Sequence, residues 1–308
     1  MRAGLLVPTL NAGARWADWL TALASQSRQP DAVIVIDSGS SDGTATQARA
    51  AGLPVVSIPP EQFDHGGTRN LGVASLTGCD IIVCLTQDAI LADPHALAHL
   101  LSAFDDAKVA MAYGRQLPHA DATPIAAHAR HFNYPPQSRR VCFEDRATLG
   151  LKAAFASNSF AAWRGTALQA VGGFPANTLF GEDTQCAARL LMAGGQIAYV
   201  AEATVFHSHN YGWREEFRRY ADIGALHALQ PWLLAEFGRP EGEGLRFVRS
   251  EFRFLRDAGW RWRMAGMRQS AAKLLGYRIG KWLPRLPASL AARCSTQPRW
   301  WLRRERRT

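Results

Sequence analysis

The stretch Asp80-Ile81-Ile82-Val83-Cys84-Leu85-Thr86-Gln87-Asp88 decides the fold class of this chain. A short apolar run that ends at polar residues is typical of a strand buried on both faces, in the middle of a parallel sheet. In open α/β sheets, ligands bind at the carboxyl ends of such strands. Asp88 is therefore expected at a ligand crevice, where a carboxylate can hold a divalent cation. The alternative explanation for Asp88 is that it caps a turn.

The segments around this stretch alternate between apolar strands and helices. Strands are predicted at residues 3–7, 32–37, 54–58 and 196–206, and a helix is predicted from about Arg15 to Ser27. A half-buried strand is also predicted from Ala154 to Phe160. Strands that alternate with helices in this way predict a parallel βαβ sheet.

Composition and missing motifs exclude several classes of protein. With 308 residues, 47% of them hydrophobic, the chain is long enough for one large α/β domain with an appendage, or for two modest domains. No Gly-x-Gly-x-x-Gly follows the first strand and no Walker A sequence is present, which removes the main support for a dinucleotide-dependent dehydrogenase or an ATPase. The five cysteines include no close pair, so neither a disulfide framework nor a zinc site is expected. Unpaired cysteines of this kind indicate a reducing cytosol.

The two ends of the chain bear on its location and partners. The N-terminus begins a strand without a charged leader, and no apolar run approaches the roughly 18 to 20 residues that cross a bilayer, so neither a signal peptide nor a span is predicted. Residues 241–308 carry 17 Lys and Arg against 5 Asp and Glu, whereas the first 240 residues carry 18 against 21. The basic tail is therefore expected to have a partner of its own.

Six motifs occur in a fixed order along the chain and together indicate a family. They are VPTLN at 7–11, VIDSGSSDGT at 35–44, FDHGGTRNLG at 63–72, LTQDA at 85–89, GEDTQCAARLLMAG at 181–194 and VFHSHNYGWREEFRRYADIG at 205–224. This set resembles the inverting family 2 glycosyltransferases, and the third and fourth motifs look especially like the rhamnosyltransferase-type members. The resemblance covers roughly residues 3–225.

The resemblance implies a fold and a domain organisation. The fold is α/β and GT-A-like, with a mostly parallel central sheet flanked by helices. The catalytic domain is expected at residues 1–225, with the nucleotide-sugar half at about 1–115 and the acceptor half at about 116–225. Residues 226–308 are expected to form a helical, Arg- and Trp-rich C-terminal region.

The resemblance also assigns residues to the nucleoside diphosphate sugar donor. Asp37 would accept a hydrogen bond from the pyrimidine ring N–H, which suits uracil or thymine because a carboxylate cannot donate. Arg69 follows two glycines and its guanidinium matches phosphate oxygens; Asp64 and His65 lie in the same loop and are weaker candidates for contact with the donor sugar. The alternatives are a strand-end turn for Asp37 and a surface arginine for Arg69. The full donor set is Pro8, Thr9, Asn11, Asp37, Ser40, Arg69 and Gln87.

A divalent cation, Mg²⁺ or Mn²⁺, is expected at Asp88. Asp88 matches the last position of the Asp-x-Asp metal motif of the family, but Thr86 stands where the first Asp usually is. By resemblance, His207 and His209 complete the site, and imidazole accepts Mn²⁺ better than Mg²⁺. If the preceding strand continues, the two histidines point to opposite faces, so that at most one faces the metal. Ordinary core or surface histidines are the alternative.

Glu182 and Asp183 open a predicted helix and are the predicted catalytic residues. By resemblance, Asp183 is the general base for the acceptor hydroxyl, and Glu182 is its orienting neighbour. The helix dipole is expected to keep Asp183 ionised. The alternative is that both carboxylates only stabilise the helix start.

The tail contains a basic amphipathic pattern. Leu245, Val248, Phe252 and Leu255 form one helical stripe, with arginines on the neighbouring one, and tryptophans follow before the end at Arg303-Arg304-Glu305-Arg306-Arg307. Such a pattern indicates a membrane-surface element, or a helical appendage packed on the catalytic domain. No nucleic-acid motif accompanies the charge, so no nucleic-acid partner is expected.

The predicted function is inverting transfer of a sugar to a hydroxyl of a lipid-linked saccharide acceptor, in bacterial surface polysaccharide synthesis. By resemblance the donor is dTDP-rhamnose, and the enzyme works in the cytoplasm at the inner face of the membrane. The alternatives are a family 2 transferase with another UDP- or dTDP-sugar, a nucleotidyltransferase, and an inactive homologue that only binds partners. A processive synthase is disfavoured because the chain has no Gln-x-x-Arg-Trp sequence.

Overall fold

A sheet of nine strands runs through the part of the chain that the computed structural model describes, residues 1–239 and 242–305. The strands are β1 Ala3–Thr9, β2 Ala32–Asp37, β3 Val55–Ser57, β4 Ile81–Leu85, β5 Ile90–Leu91, β6 Val109–Leu117, β7 Arg139–Val141, β8 Phe160–Arg164 and β9 Gln196–Phe206. The first helices are α1 Trp16–Ala24, α2 Thr44–Ala50, α3 His65–Ser75, α4 Ala96–Ser102, α5 Pro124–Asn133, α6 Arg146–Leu149 and α7 Gly165–Ala170. The later helices are α8 Glu182–Met192, α9 Trp213–Leu229, α10 Pro231–Phe237, α11 Glu243–Phe254, α12 Trp260–Gly280, α13 Ala288–Arg293 and α14 Pro298–Glu305.

The strand order is β3-β2-β1-β4-β8-β6-β9-β5, with β7 paired to β9. The first four strands in this order pair in parallel, and β6 is parallel to β9. By contrast, β8 is antiparallel to both of its neighbours, and β5 and β7 are antiparallel to β9. The predicted α/β fold with a mostly parallel sheet is therefore confirmed.

Apolar side chains fill both faces of the sheet. All five residues of β4 are buried, as the uninterrupted apolar run predicted. On one face, Leu6 and Ile82 belong to a core with Trp163, and on the other, Leu5 and Val83 belong to a core with Trp16. Because successive residues of a strand point to opposite faces, only strands apolar at every position can serve two cores.

The strand predicted from Ala154 to Phe160 is wrong. A 3-10 helix covers Gly150–Ala154, and the strand begins only at Phe160 and continues to Arg164. Between these two elements, Phe160 N donates to the carbonyl oxygen of Ser157 in a turn. The polar groups of Asn158 form hydrogen bonds with Asp183, Glu182 and Trp163 and take no part in strand pairing. The alternation of residue types in this segment therefore does not correspond to a strand.

The C-terminal region packs tightly on the helix that precedes it. The predicted boundary at 225/226 falls inside α9, and α12 lies along α9 in backbone contact. A Cβ atom added at Gly276 would lie 2.2 Å from the carbonyl oxygen of Phe217, and one added at Gly280 would lie 2.1 Å from that of Ala221. Glycine therefore permits a helix contact that side chains would prevent.

A third core joins the tail to the rest of the molecule. Trp301 of α14 is 2% exposed and packs with Leu283 against Leu179 and Ala225. The buried carboxylate of Asp222 in α9 accepts hydrogen bonds from the tail residues Ser295 and Thr296. The predicted helical C-terminal region is thus present and packs on the preceding residues 1–225, while Arg306 and Arg307 lie outside the described residues. Among the helices that the structure describes, none is long and apolar enough to cross a membrane.

Candidate active site

The predicted site residues meet at one edge of the sheet. The carboxyl ends of β1, β2 and β4 lie side by side, and they carry the donor residues and Asp88. The N-termini of α3 and α8 reach the same region, because Arg69 of α3 contacts Glu182 of α8. This arrangement is the one expected of parallel strands that end at a ligand crevice.

Asp37 at the end of β2 is buried, and its two carboxylate oxygens already accept hydrogen bonds. Thr9 Oγ1 donates to one oxygen over 2.9 Å and Ser40 Oγ donates to the same oxygen over 2.5 Å. The backbone N–H groups of Gly39 and Ser40 donate to the other oxygen over 3.2 and 3.0 Å. Asp37 therefore holds the turn after β2, and a pyrimidine N–H can reach it only if the Ser40 hydroxyl turns away.

Asn11 and Gln87 tie neighbouring strand ends together. The backbone N–H of Asn11, whose φ is +48°, donates to Ser40 Oγ over 2.9 Å, and its side-chain oxygen accepts from the N–H of Ser41 over 2.8 Å. The Gln87 amide accepts from the N–H of Leu10 over 2.7 Å and donates to its carbonyl over 3.0 Å. These side chains shape the floor of the crevice, while Pro8 lies within β1 beside Ile36.

Arg69 has a different position from the one expected of a phosphate ligand. It is 5% exposed, and its guanidinium lies 3.0 Å from Glu182 in a buried ion pair. It also donates to the carbonyl oxygen of His65 over 2.9 Å. The structure therefore gives no support to a contact between Arg69 and the diphosphate; the residue positions Glu182 instead. Asp64 caps α3 through the N–H of Gly67.

Glu182 and Asp183 are adjacent carboxylates whose pKa values move in opposite directions. Burial acts to raise the pKa of Glu182, but the guanidinium of Arg69 and the ring of His65 bring it below its usual range. Burial and the negative charge of Glu182 raise the pKa of Asp183 to about 7. The expectation that the helix dipole keeps Asp183 strongly ionised is therefore wrong, because these two effects outweigh the dipole.

Asn158 orients both carboxylates, and the sequence did not single it out. Its backbone N–H donates to Asp183 over 3.2 Å and its side-chain amide donates to Glu182 over 3.2 Å. Its own oxygen accepts from Trp163 Nε1 over 2.9 Å, which fixes the direction of the amide. Its position among apolar residues was the available signal, since a buried polar side chain must have partners.

Asp88, His207 and His209 form a cluster with the composition of a metal site. One ligand atom from each residue lies within 4.8 Å of the others. The Nε2 atoms of His207 and His209 are 3.4 and 3.5 Å from one carboxylate oxygen of Asp88. The expectation that at most one histidine faces the metal depended on continuation of the strand. Strand β9 ends at Phe206, and both rings lie beside Asp88.

The protonation of this cluster suits a cation. Burial acts to raise the pKa of Asp88, but contact with His207 brings it well below its usual range. Burial, together with the charge of His207, lowers the pKa of His209 to about 4, so its ring is neutral at pH 7. A carboxylate and a neutral imidazole are groups that bind divalent metals.

Gln116 fixes the tautomer of His207. Arg130 can only donate, and it donates to the Gln116 side-chain oxygen, so that atom is an acceptor. His207 Nδ1, 2.8 Å from the same oxygen, must therefore carry the hydrogen and leave Nε2 free as a ligand. Support of this kind from a second residue is usual around metal-binding histidines. No sequence pattern pointed to Gln116, which is a buried residue of β6.

A hydrogen-bonded path connects the metal cluster with the carboxylate pair. The Gln116 amide donates to Ser157 Oγ over 2.9 Å, and Ser157 precedes Asn158, which binds Glu182 and Asp183. The turn at 157–158 therefore sets the position of the candidate cation site relative to the candidate base. A reaction that needs both a cation and a base fits this arrangement.

The chain belongs to the family described as glycosyltransferase-like family 2, whose model matches residues 2–221. It is 47% identical over 298 residues to the O-antigen chain rhamnosyltransferase WbaN of Salmonella anatum, with 96% of this chain and 95% of that protein covered. It is 45% identical over 302 residues to the O-antigen chain rhamnosyltransferase RfbN of Salmonella typhimurium, with 98% and 96% covered.

Solved structures share the fold. The mannosyltransferase PcManGT from Pyrobaculum calidifontis, in complex with GDP-Man and Mn²⁺, matches with a TM-score of 0.56 and 18% identity, over 98% of this chain and 85% of that one. TarS of S. aureus matches with a TM-score of 0.53 and 16% identity, over 92% of this chain and 55% of that one. At these identities the likeness establishes the GT-A-like fold.

Proposed function

We propose that this glycosyltransferase moves L-rhamnose from dTDP-rhamnose to a hydroxyl of a lipid-linked saccharide in the synthesis of bacterial O-antigen, with inversion at the anomeric carbon. The choice of sugar rests on the two rhamnosyltransferase relatives, which this chain matches over nearly its whole length. The observation that carries the mechanism is a carboxyl group of raised pKa, Asp183, joined through Asn158 and Gln116 to a metal-type cluster.

In the proposed reaction, Asp183 is the general base. The acceptor hydroxyl oxygen attacks the anomeric carbon and forms the new C–O bond while its proton passes to an Asp183 oxygen. The bond from the anomeric carbon to the diphosphate oxygen breaks, and the diphosphate leaves with the electron pair. A base with a pKa near the working pH is the most effective one. Glu182 stays ionised beside Arg69 and raises the pKa of Asp183.

Asp88, His207 and His209 would hold the divalent cation, Mg²⁺ or Mn²⁺. When bound, the cation supplies positive charge that stabilises the leaving diphosphate. Gln116 keeps His207 in the tautomer that this role needs.

We assign the nucleoside to the edge formed by β1 and β2. Pro8 and Thr9 are the last two residues of β1, and Asn11 follows them. Asp37 ends β2, and Ser40 lies in the turn after it. In this proposal Asp37 and Ser40 reorganise when the base binds, since the Ser40 hydroxyl occupies an Asp37 oxygen in the structure. Gln87 joins this edge to Asp88 by holding the backbone of Leu10.

The lipid-linked acceptor places the enzyme at a membrane surface, and we propose that the α11–α12 hairpin contacts it from the cytoplasmic side. Leu245, Val248 and Phe252 of the predicted stripe are exposed on α11, while Leu255 is buried. Trp260 at the start of α12 is 70% exposed, and Arg263 of α12 lies over the ring of Phe252, 4.7 Å away. Exposed apolar side chains among arginines favour an anionic bilayer surface.

Sedimentation with anionic vesicles tests the membrane contact. We expect the double variant Phe252→Ser, Trp260→Ser to lose most vesicle binding, and binding of the unsubstituted protein to weaken as salt rises. The control variant Leu71→Ser, Met192→Ser removes two exposed apolar side chains from the catalytic part and should bind normally. Equal binding by both variants would refute this surface.

A panel of nucleotide sugars tests the donor assignment without an acceptor. Binding and slow hydrolysis should be greatest for dTDP-rhamnose, and hydrolysis should require a divalent cation and disappear in Asp88→Asn. A preference for another UDP- or dTDP-sugar would keep the transferase mechanism and replace the proposed donor.

A further inference from the structure

The last helix of the tail forms one wall of a large cavity at the nucleoside edge. The cavity has a volume of about 840 Å³. Leu10 and Ser38, at the carboxyl ends of β1 and β2, line one side with Phe63 and His65. Three arginines of α14, Arg299, Arg303 and Arg304, line the other side. The basic tail therefore contributes to the same space as the first two strands.

The position of α14 is fixed by contacts on both sides of its arginines. Trp301 is buried in the third core, and Trp300 Nε1 donates to the carbonyl oxygen of Asn177 over 3.0 Å. Just before the helix, Gln297 lies 3.5 Å from the ring of His65 at the start of α3. The helix is thus attached to the loop before α8 and to α3, and its arginines are presented to the cavity from a fixed backbone.

The arginines of this wall have no acidic partner among the described side chains. No carboxylate lies within ion-pair distance of Arg299, Arg303 or Arg304 in that part of the structure. Two carboxylates also line the cavity, but that of Asp64 accepts from the N–H groups of Gly67 and Asn177, and Glu61 is exposed. Three positive charges against these two leave an excess that favours an anion.

We propose that Arg299, Arg303 and Arg304 bind the diphosphate of the nucleotide-sugar donor and close the crevice from the tail side. The proposal deepens the proposed function and rests on it. Leu10, which lines the cavity, is hydrogen bonded to Gln87, the neighbour of Asp88, so one residue pair links this wall to the candidate metal cluster. In the proposal, the diphosphate extends from the nucleoside edge toward Asp88 along this wall. Guanidinium groups match phosphate oxygens in charge and geometry.

This assignment gives the two parts of the tail different roles. The α11–α12 hairpin faces outward with exposed apolar residues, whereas α14 faces the crevice. In this proposal, α14 also supplies the phosphate-binding cations that Arg69, which is buried against Glu182, does not provide. Removal of the tail is therefore expected to weaken donor binding as well as membrane contact.

Calorimetric titration of dTDP into metal-free protein tests the proposal, because the arginines are then the main source of positive charge. We expect the triple variant Arg299→Gln, Arg303→Gln, Arg304→Gln to raise the Kd on the order of tenfold or more, and to make binding less sensitive to salt. The control is Arg2→Gln, Arg214→Gln, Arg218→Gln, which removes the same charge from exposed positions outside the cavity. Its Kd should equal that of the unsubstituted protein.

The outcomes separate this proposal from the proposed function. If the unsubstituted protein binds dTDP and the α14 variant binds it equally well, the arginines have no such role and the transferase assignment stands. If the unsubstituted protein binds neither dTDP nor UDP, with or without Mn²⁺, both proposals fail. Should the triple variant unfold, Arg303→Gln and Arg303→Lys replace it: loss of affinity in the first and recovery in the second support the proposal, and equal affinity in both overturns it.

Discussion

At the scale of single residues, the chemistry depends on two adjacent carboxylates in different surroundings. Glu182 shares a buried ion pair with Arg69 and stays ionised. Asp183 has backbone N–H partners but no cation of its own, and the charge of Glu182 raises its pKa. Neighbouring groups whose pKa values are pushed apart are a sign of divided roles in acid–base chemistry. In the proposed reaction, Asp183 is therefore the base, and Glu182 is the group that raises its pKa.

Replacement of Asp183 by Asn should lower turnover by a factor on the order of 10² or more, since a positioned base contributes about that much. The affinity for dTDP should not change, because in our account Asp183 does not contact the donor diphosphate. Steady-state kinetics and calorimetry measure the two effects separately. Loss of donor affinity without loss of turnover at saturation would identify Asp183 as a donor-site residue instead.

The rate should also depend on pH through Asp183. A base works when it is ionised, so kcat/KM should fall as the pH drops below about 7 and level off above it. Saturating Mn²⁺ keeps metal binding from producing the same profile. Rates measured between about pH 5 and 9 at saturating Mn²⁺ test this expectation. A profile that is flat through neutrality would contradict the raised pKa.

Gln116 should control metal affinity although it is not a ligand. Gln116→Leu removes the acceptor that holds His207 in position, and loss of such a partner typically costs about 10- to 100-fold in metal affinity. Titration with Mn²⁺ measures this loss. Gln116→Glu, which keeps an acceptor for His207 and Arg130, is the control and should retain most of the affinity. Similar affinity in both variants would mean that His207 does not depend on Gln116.

Sequence patterns predicted the residues of this site better than their contacts. Sequence motifs predicted the metal candidates Asp88, His207 and His209, and the structure brings these three side chains together. Motifs also predicted Glu182 and Asp183, which lie side by side in the structure. The burial of Arg69 against Glu182 could not be predicted, because it depends on how α3 and α8 meet. The same is true of Asn158 and Gln116, whose roles come from partners 24 or more residues away in the chain.

At the scale of elements, strands buried on both faces were predictable and the inserted antiparallel strand was not. Runs such as 32–36 and 81–85 are apolar at every position, which only a central strand requires. The strand β8 lies between β4 and β6 by long-range pairing, and local alternation placed a strand too early in the chain. Likewise, the close contact of α9 with α12 depends on glycines of α12, and the sequence of either helix alone does not predict that contact.

That helix contact can be tested with matched substitutions. Gly276→Ala places a methyl carbon 2.2 Å from the Phe217 carbonyl oxygen unless the helices shift. Overpacking of this kind costs about 1–3 kcal/mol of unfolding free energy. Gly244→Ala in α11 is the control, because among the described residues no atom outside the local helix backbone lies within 4 Å of the added Cβ, and alanine is the better helix former. Denaturant unfolding should show a loss for the first variant and none for the second. Equal stability would show that α9 and α12 can separate without cost.

At the scale of the whole molecule, the tail and the catalytic part form one structure, and we propose two separate roles for the surfaces of the tail. The third core includes residues of both parts, such as Leu179 and Trp301. The same tail exposes an apolar, arginine-bordered hairpin and turns α14 toward the nucleoside edge. The donor crevice and the proposed membrane-facing surface are therefore held in a fixed relation, which would suit a nucleotide donor from solution and an acceptor in a bilayer.

The most direct test of the central claim is to determine the product formed from dTDP-rhamnose, Mn²⁺ and a lipid-linked saccharide acceptor. Our account predicts that rhamnose is transferred to a hydroxyl of the acceptor, that NMR shows the anomeric configuration inverted relative to the donor, and that chelation of the metal abolishes the product. A product with retained configuration, or transfer that proceeds at the same rate in Asp183→Asn, would contradict the assignment of Asp183 as the base of an inverting transferase.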